Sequence, residues 1–100
     1  MAQRKTPHLL FGARLTAYEA PDHLDDLTAF INEASENTPA HVDAGQVETI
    51  DTAGCQMIDL AITAARHKKA KLELHLSVAV QEAFSGLGIS AQDDGEGRTL

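Results

Sequence analysis

Strand-like and helix-like patterns alternate along most of this chain, and this alternation constrains its fold more than any single motif. Apolar residues recur at three- and four-residue spacing in residues 21–34 and again in residues 52–69, so both segments are predicted to be helices. Residues 71–76 instead alternate leucine with polar side chains, which is the period-two pattern of a β-strand. The basic residues from Arg66 to Lys69 are placed where the C-terminal end of a helix favours cations.

The remaining segments extend the same alternation. Residues 8–18 hold spaced apolar side chains around Gly12, which indicates two short strands joined by a turn. Residues 40–50 are too few for a helix with its connections, and we expect a buried strand that is interrupted near Gly45. Ser77 is well placed to cap a last helix, which the following glycines would end. This order predicts an α/β protein with a small mixed β-sheet, in which right-handed crossovers join the parallel strands.

The composition limits both the number of domains and the classes of partner. A chain of 100 residues has room for one domain, which we place at residues 1–89, before a polar C-terminal tail at residues 90–100. The formal net charge of −7 argues against binding to nucleic acid or to anionic membranes, because both attract basic surfaces. No apolar run approaches the roughly 20 residues that span a bilayer, so we expect no direct membrane insertion. A single cysteine, Cys55, and the absence of an apolar secretion signal at the start indicate a cytoplasmic protein.

The second predicted helix carries a polar stripe. Thr52, Gln56, Asp59 and Thr63 follow one another at three- and four-residue spacing, so they fall on one helix face. The opposing arc, which is predicted to pack on the sheet, consists of Met57, Ile58, Ala61, Ile62, Ala64 and Ala65. Thr52 lies at the junction between strand and helix, where its hydroxyl could accept a backbone N–H as the helix N-cap. We therefore expect an exposed polar face that begins at Thr52.

Several segments in combination resemble the STAS domain, the family of the anti-sigma-factor antagonists. Val42-Asp43 and the following run from Val47 to Gly54 are similar to the family's core pattern, in which an Asp-containing strand leads to Asp-Ser/Thr-x-Gly and a helix. Residues 15–20, 71–74 and 77–89 are similar to the second strand, the strand after the long helix, and the last helix of the family. The resemblance covers most of the chain and implies a STAS fold.

The resemblance implies a regulatory protein-binding module that has neither catalytic activity nor a cofactor. In anti-sigma-factor antagonists a cognate serine kinase phosphorylates the hydroxyl residue after the aspartate and thereby releases the partner, and the matching residue here is Thr52. The implied partner is an anti-sigma-type serine kinase or a chemotaxis protein, bound through Asp51, Thr52, Gln56, Asp59 and Thr63. The Asp-Thr-Ala-Gly-x-Gln form also resembles the STAS proteins of lipid-asymmetry transporters. In that alternative the chain is a subunit of an ABC-type lipid transporter that clamps its ATPase, and Thr52 is a contact residue that need not be modified.

Other kinds of site have weaker support in the sequence. The five histidines and the single cysteine show no recognisable ligand spacing, so no metal site is expected. Cys55 lies one turn inside a predicted helix N-terminus, where the thiol pKa could be lowered, but a buried and inert cysteine is the favoured interpretation. A small enzyme or nucleotide-binding protein is a third possibility, which depends on an anion binding at the helix N-terminus near Thr52.

Overall fold

The predicted strands and helices are present in a computed structural model, which describes residues 7–89. The strands are β1 (His8–Leu10), β2 (Arg14–Leu15), β3 (Ala40–Ala44), β4 (Thr49–Ile50) and β5 (Leu72–Leu76). The helices are α1 (Leu24–Glu33), α2 (Thr52–His67) and α3 (Val78–Leu87), with a short 3-10 helix at Ala20–His23 before α1. The α/β class and the predicted order of elements are therefore confirmed. The polar tail at residues 90–100 and the first six residues lie outside the described part of the chain.

All pairings between the named strands of residues 7–89 are parallel. β3 lies between β1 and β5 in one sheet, and β2 pairs with β4 in a second, smaller one. In the register of the first sheet, Leu9 lies beside Val42, which lies beside Leu74. The prediction of a mixed sheet is therefore wrong for this part of the chain. β1 and β2 do not pair with each other across Gly12, because each of them pairs with a strand later in the sequence.

A shared bend separates the two sheets. β1 and β2 flank a bend at residues 11–13, while β3 and β4 flank the turn at Gly45, where the sequence predicts an interruption. Three backbone hydrogen bonds cross this region. Phe11 N–H donates to Asp43 O at 3.0 Å, and the N–H groups of Glu48 and Thr49 both donate to Ala13 O, at 2.7 Å and 3.0 Å. Because the two neighbouring segments bend at matching places, parallel pairing resumes beyond the bend.

Within residues 7–89 the three-stranded sheet is buried on one face and open on the other. The buried face continues into a core formed with the helices, and its largest fully buried side chains include Phe11, Phe30, Leu9, Leu15, Ile58 and Ile62. The other face, which we call the open face, carries His8, Leu10, His41, Asp43, Glu73 and His75. These side chains are exposed or half-buried. Parallel sheets usually have both faces covered, so an open face is an unusual feature of this fold.

The first and last helices follow their predicted signals with small differences. Pro21 lies in the 3-10 helix, so α1 begins only at Leu24, and Leu24 itself is 51% exposed although the sequence places it on the apolar face. The hydroxyl of Ser77 accepts the Val80 N–H at 3.2 Å, which confirms Ser77 as the N-cap of α3. Gly88 ends α3 with a φ of +75°, a left-handed conformation that glycine adopts without steric cost.

The N-terminal turn of α2 lies very close to the smaller sheet. A Cβ atom added to Gly54 would lie 2.1 Å from the carbonyl oxygen of Leu15 and 2.8 Å from Cγ1 of Ile50. Real Cβ atoms do not approach other atoms so closely, and the nearest contact is backbone. The glycine of the Asp-Thr-x-Gly segment is therefore required for the packing of α2 against β2 and β4.

Candidate functional site

Asp51 is the N-cap of α2. One of its carboxylate oxygens, Oδ1, accepts the Gly54 N–H at 3.0 Å, and its backbone carbonyl accepts the Cys55 N–H at 3.0 Å. The interpretation of Thr52 as the N-cap is therefore wrong, because the cap falls one residue earlier and Thr52 is the first residue of the helix. Aspartate is as good an N-cap as serine or asparagine and better than threonine, so this arrangement agrees with known preferences. The side chain of Thr52 is left exposed.

The second oxygen of the Asp51 carboxylate binds a loop that is distant in sequence. Oδ2 accepts the Ala17 N–H at 3.0 Å, across a separation of 34 residues. These two backbone donors, first Gly54 and then Ala17, hold the pKa of the Asp51 carboxyl below its usual range. Asp51 thus fixes the start of α2 to the segment Thr16–Glu19, which we call the β2 loop.

The β2 loop is held by its own hydrogen bonds as well. Glu19 Oε1 accepts both the backbone N–H of Thr16, at 2.9 Å, and the Thr16 hydroxyl, while Glu19 Oε2 lies 3.3 Å from Nε of Arg14. The hydroxyl of Thr16 and its N–H, together with Arg14, lower the pKa of Glu19 to about 2. Thr16 is buried, and its hydroxyl oxygen also accepts the Tyr18 N–H at 3.2 Å. The loop is therefore an ordered structure and not a loose connection.

The predicted polar stripe is present on α2. Thr52, Gln56 and Thr63 are exposed, and Asp59 is half-buried. On the opposing arc Met57, Ile58, Ala61, Ile62 and Ala65 are buried and Ala64 is half-buried, as the periodicity predicts. The structure thus brings four of the predicted residues onto one surface, with Asp51 at its N-terminal edge.

Tyr18 is a prominent surface residue. It closes the segment of residues 8–18 that is predicted to form two short strands, yet it lies beyond β2, in the β2 loop, and is 87% exposed. It immediately follows Ala17, whose N–H is bound by Asp51. A local signal could have revealed the loop, because Thr16 and Glu19 match the Ser/Thr-x-x-Glu pattern of a capping box, in which the two side chains and backbone amides bond reciprocally.

Cys55 is buried, with 1% of its surface exposed, as the favoured interpretation predicts. Burial and then the negative charge of Asp51 raise the pKa of its thiol. The alternative of a thiol with a lowered pKa is therefore wrong. A neutral thiol is a poor nucleophile.

Other kinds of site have little support among residues 7–89. No group of three or more His, Cys, Asp or Glu side chains in this range has the geometry to hold a metal ion. His41 lies next to Glu73, with Nδ1 and Oε1 3.3 Å apart, and next to His8, with a distance of 5.7 Å between ring centroids. No helix in the same range has the length and apolar character needed to cross a bilayer.

The arrangement around Thr52 is suited to surface contact. The exposed hydroxyl of Thr52 directly follows Asp51, and the Asp51 carboxylate binds both the first turn of α2 and the loop that carries the exposed ring of Tyr18. The Gly54 N–H, one of the first-turn donors that an anion would use, is already bound to Asp51, so an anion site here has one donor fewer. Comparisons of this chain with protein-family models, with curated proteins and with solved structures find no match.

Proposed function

We propose that this chain is a cytoplasmic regulatory module of the STAS, anti-sigma-factor-antagonist type, which binds a protein partner and catalyses no reaction. Its docking surface consists of Asp51, Thr52, Gln56, Asp59 and Thr63, and the partner is an anti-sigma-type serine kinase or another signalling protein such as a chemotaxis protein. One observation carries the proposal: Thr52 is exposed at the start of α2, directly after an aspartate that fixes the adjoining loop.

The rigidity of this surface favours binding. A partner that docks on a flexible loop must order it, and each immobilised side chain or loop residue reduces the affinity. Here the start of α2 and the β2 loop are already joined through the Asp51 carboxylate, and Glu19 orders the loop from within. Tyr18, at the edge of the surface, offers the kind of side chain that dominates many protein interfaces.

Phosphorylation of Thr52 would act on the partner and leave the fold intact. A phosphate adds about −1.5 to −2 charges at neutral pH. The Gly54 N–H is already held by Asp51, and the Thr52 side chain points into solvent, so the fold provides room for the group without rearrangement. At an interface the same phosphate would lie beside the Asp51 carboxylate, where a desolvated and unpaired charge is strongly unfavourable. Phosphorylation is thus expected to release the partner.

The test uses an anti-sigma-type serine kinase as the candidate partner. We expect one added phosphate after incubation with the kinase and ATP, located at Thr52 by intact mass and fragmentation. Thr52→Glu should keep the circular dichroism spectrum and lose most of its affinity for the kinase in calorimetric titration. Thr28→Glu is the matched control, because Thr28 is an exposed threonine on α1 outside the docking surface, and it should bind as the wild type does.

Two results would count against this proposal. The first is phosphate incorporation at another residue, and the second is a Thr52→Glu variant that still binds with wild-type affinity. If no phosphate is added but Thr52→Ala disrupts co-purification with an ABC-type lipid transporter, the alternative of an ATPase-clamping subunit replaces the kinase-regulated one.

A further inference from the structure

Within residues 7–89 strand β5 has a backbone edge that pairs with no other strand. β3 occupies one side of β5, and the three-stranded sheet ends there. Ala40 N–H donates to the carbonyl of Lys71, and Ser77 N–H donates to the carbonyl of Ala44. Alternate residues of a strand direct their backbone groups to opposite sides. The backbone groups of the odd-numbered residues of β5 therefore point toward β3. Those of Leu72, Leu74 and Leu76 point outward, away from the sheet.

The side chains of the same three leucines point toward the core but are not fully buried. The inward side chains of the central strand β3 are buried, whereas Leu72, Leu74 and Leu76 are only half-buried although they face the same core. Among the backbone groups at this edge, the carbonyl of Leu76 accepts a hydrogen bond from Nε2 of Gln81 at 2.9 Å, and its second lone pair can accept another. β5 is therefore an edge strand with unsatisfied backbone groups and three partly exposed leucines, the features that promote pairing with another strand.

The sequence of β5, Leu-Glu-Leu-His-Leu, is complementary to itself when two copies run antiparallel. With Leu74 opposite Leu74, each Glu73 lies opposite a His75, and each Leu72 lies opposite a Leu76. The leucine pairs then fall at hydrogen-bonded positions, because their backbone groups point outward. The Glu73 and His75 pairs fall at the non-hydrogen-bonded positions, where opposing side chains are closest, about 4.5 Å between Cα atoms. A slip that places Glu73 opposite Glu73 would bring like charges together.

We propose that two copies of this chain form a symmetric dimer by antiparallel pairing of β5 with β5, centred on Leu74. The pairing joins the two three-stranded sheets into one continuous sheet and covers the exposed parts of the leucines with those of the second copy.

Charge complementarity on the open face identifies a second copy as the occupant of this edge. In each subunit His41 lies against Glu73, and Asp43 is in register with His75. In the dimer these side chains form one row on the open face, which runs from His41 to Glu73 and on to the partner subunit's His75 and the partner subunit's Asp43. Basic and acidic groups therefore alternate across the junction. The net charge of −7 on each copy opposes association, but at about 0.15 M salt the Debye length is about 8 Å and most of this long-range repulsion is screened.

Disulfide trapping tests the proposed register. Glu73→Cys and His75→Cys each place a cysteine at an exposed position on the open face. The native Cys55 is buried and should not compete for the disulfide. Opposed positions lie within the distance that a disulfide spans, whereas the diagonal 73–73 and 75–75 pairs are about 7–8 Å apart, at or beyond its limit. The two variants are mixed and oxidised with diamide. The disulfide between Cys at position 73 of one copy and Cys at position 75 of the other should form several times faster than the disulfide between two copies of the same variant. Equal rates in the three samples would refute this register.

Sedimentation equilibrium tests the dimer without a covalent bond. The wild type should dimerise with increasing concentration, and His75→Glu, which places two glutamates opposite each other, should shift the equilibrium toward monomer by at least tenfold in dissociation constant. His67→Glu introduces the same charge at an exposed position at the end of α2 and should leave the equilibrium unchanged. A wild-type chain that stays monomeric at every concentration, or equal weakening by the two variants, would overturn the proposal.

Discussion

Gly54 is the last residue of the Asp-Thr-x-Gly segment, and it is required for the packing of that segment against β2. The absence of a side chain at this residue allows the first turn of α2 to lie against the backbone of β2, where a Cβ would meet the Leu15 carbonyl at 2.1 Å. The same turn holds Asp51 and Thr52 at the surface. The glycine therefore contributes to the candidate site through geometry, and it needs no contact with a partner.

Gly54→Ala should destabilise the protein by about 3 kcal/mol, at the upper end of the usual cost of overpacking, because the atom in the way is a backbone carbonyl oxygen. Gly86→Ala is the matched control in another helix. No atom lies within 4 Å of a Cβ at Gly86, so alanine should raise stability by about 0.5–1 kcal/mol through helix propensity. Urea unfolding of both variants measures the difference, and equal effects would contradict the packing argument.

At the scale of elements, α2 and the β2 loop form one unit because a single carboxylate bonds to both. Oδ1 of Asp51 caps the helix and Oδ2 binds the Ala17 amide. The two functions are chemically separable. Asparagine keeps one acceptor oxygen and is itself a good N-cap, but its amide nitrogen cannot accept a hydrogen bond from a backbone N–H.

Asp51→Asn should therefore keep α2 and release the β2 loop. We expect the amides of Ala17 and Tyr18 to exchange with deuterium at least several times faster than in the wild type, while the amides in the middle of α2 keep their protection. Asp51→Ala should in addition loosen the first turn of α2. Hydrogen exchange followed by NMR distinguishes the two variants, and unchanged exchange at Ala17 in Asp51→Asn would show that the bond contributes little to loop order.

Elements whose signals are local could be predicted from the sequence, and contacts between distant segments could not. The leucine alternation of β5, the apolar arc of α2 and the Ser77 cap depend on neighbouring residues, and the structure confirms them. The parallel pairing of β1 with β3 and the hydrogen bond from Ala17 to Asp51 join segments more than 30 residues apart. Apolar spacing alone cannot reveal either contact.

For the molecule as a whole, acid sensitivity follows from carboxylates whose pKa values are lowered on folding. The pKa of Glu19 falls from 4.5 to about 2, and the pKa of Asp51 is lowered as well. A lowered pKa means that the unfolded chain binds protons more readily than the folded one, so the resulting stability is fully present above the unfolded value and is lost as the pH falls.

The free energy of unfolding should accordingly decrease between about pH 4.5 and pH 2. Glu19→Gln removes one of the responsible groups, so its stability should vary less with pH in this window, while near neutral pH it should be less stable than the wild type. Denaturant unfolding at a series of pH values provides the measurement. Parallel curves for the two proteins would mean that Glu19 has similar proton affinity in the folded and unfolded chains.

The exposure of Tyr18 has a practical consequence for following this protein in solution. The chain contains one tyrosine and no tryptophan, so the fluorescence excited at wavelengths that phenylalanine does not absorb comes from the β2 loop. Water reaches 87% of this side chain in the free protein, and a partner that covers the loop would change both the emission intensity and the access of a dissolved quencher. The unlabelled protein thus carries its own fluorescent reporter at the edge of the surface on which Thr52 lies.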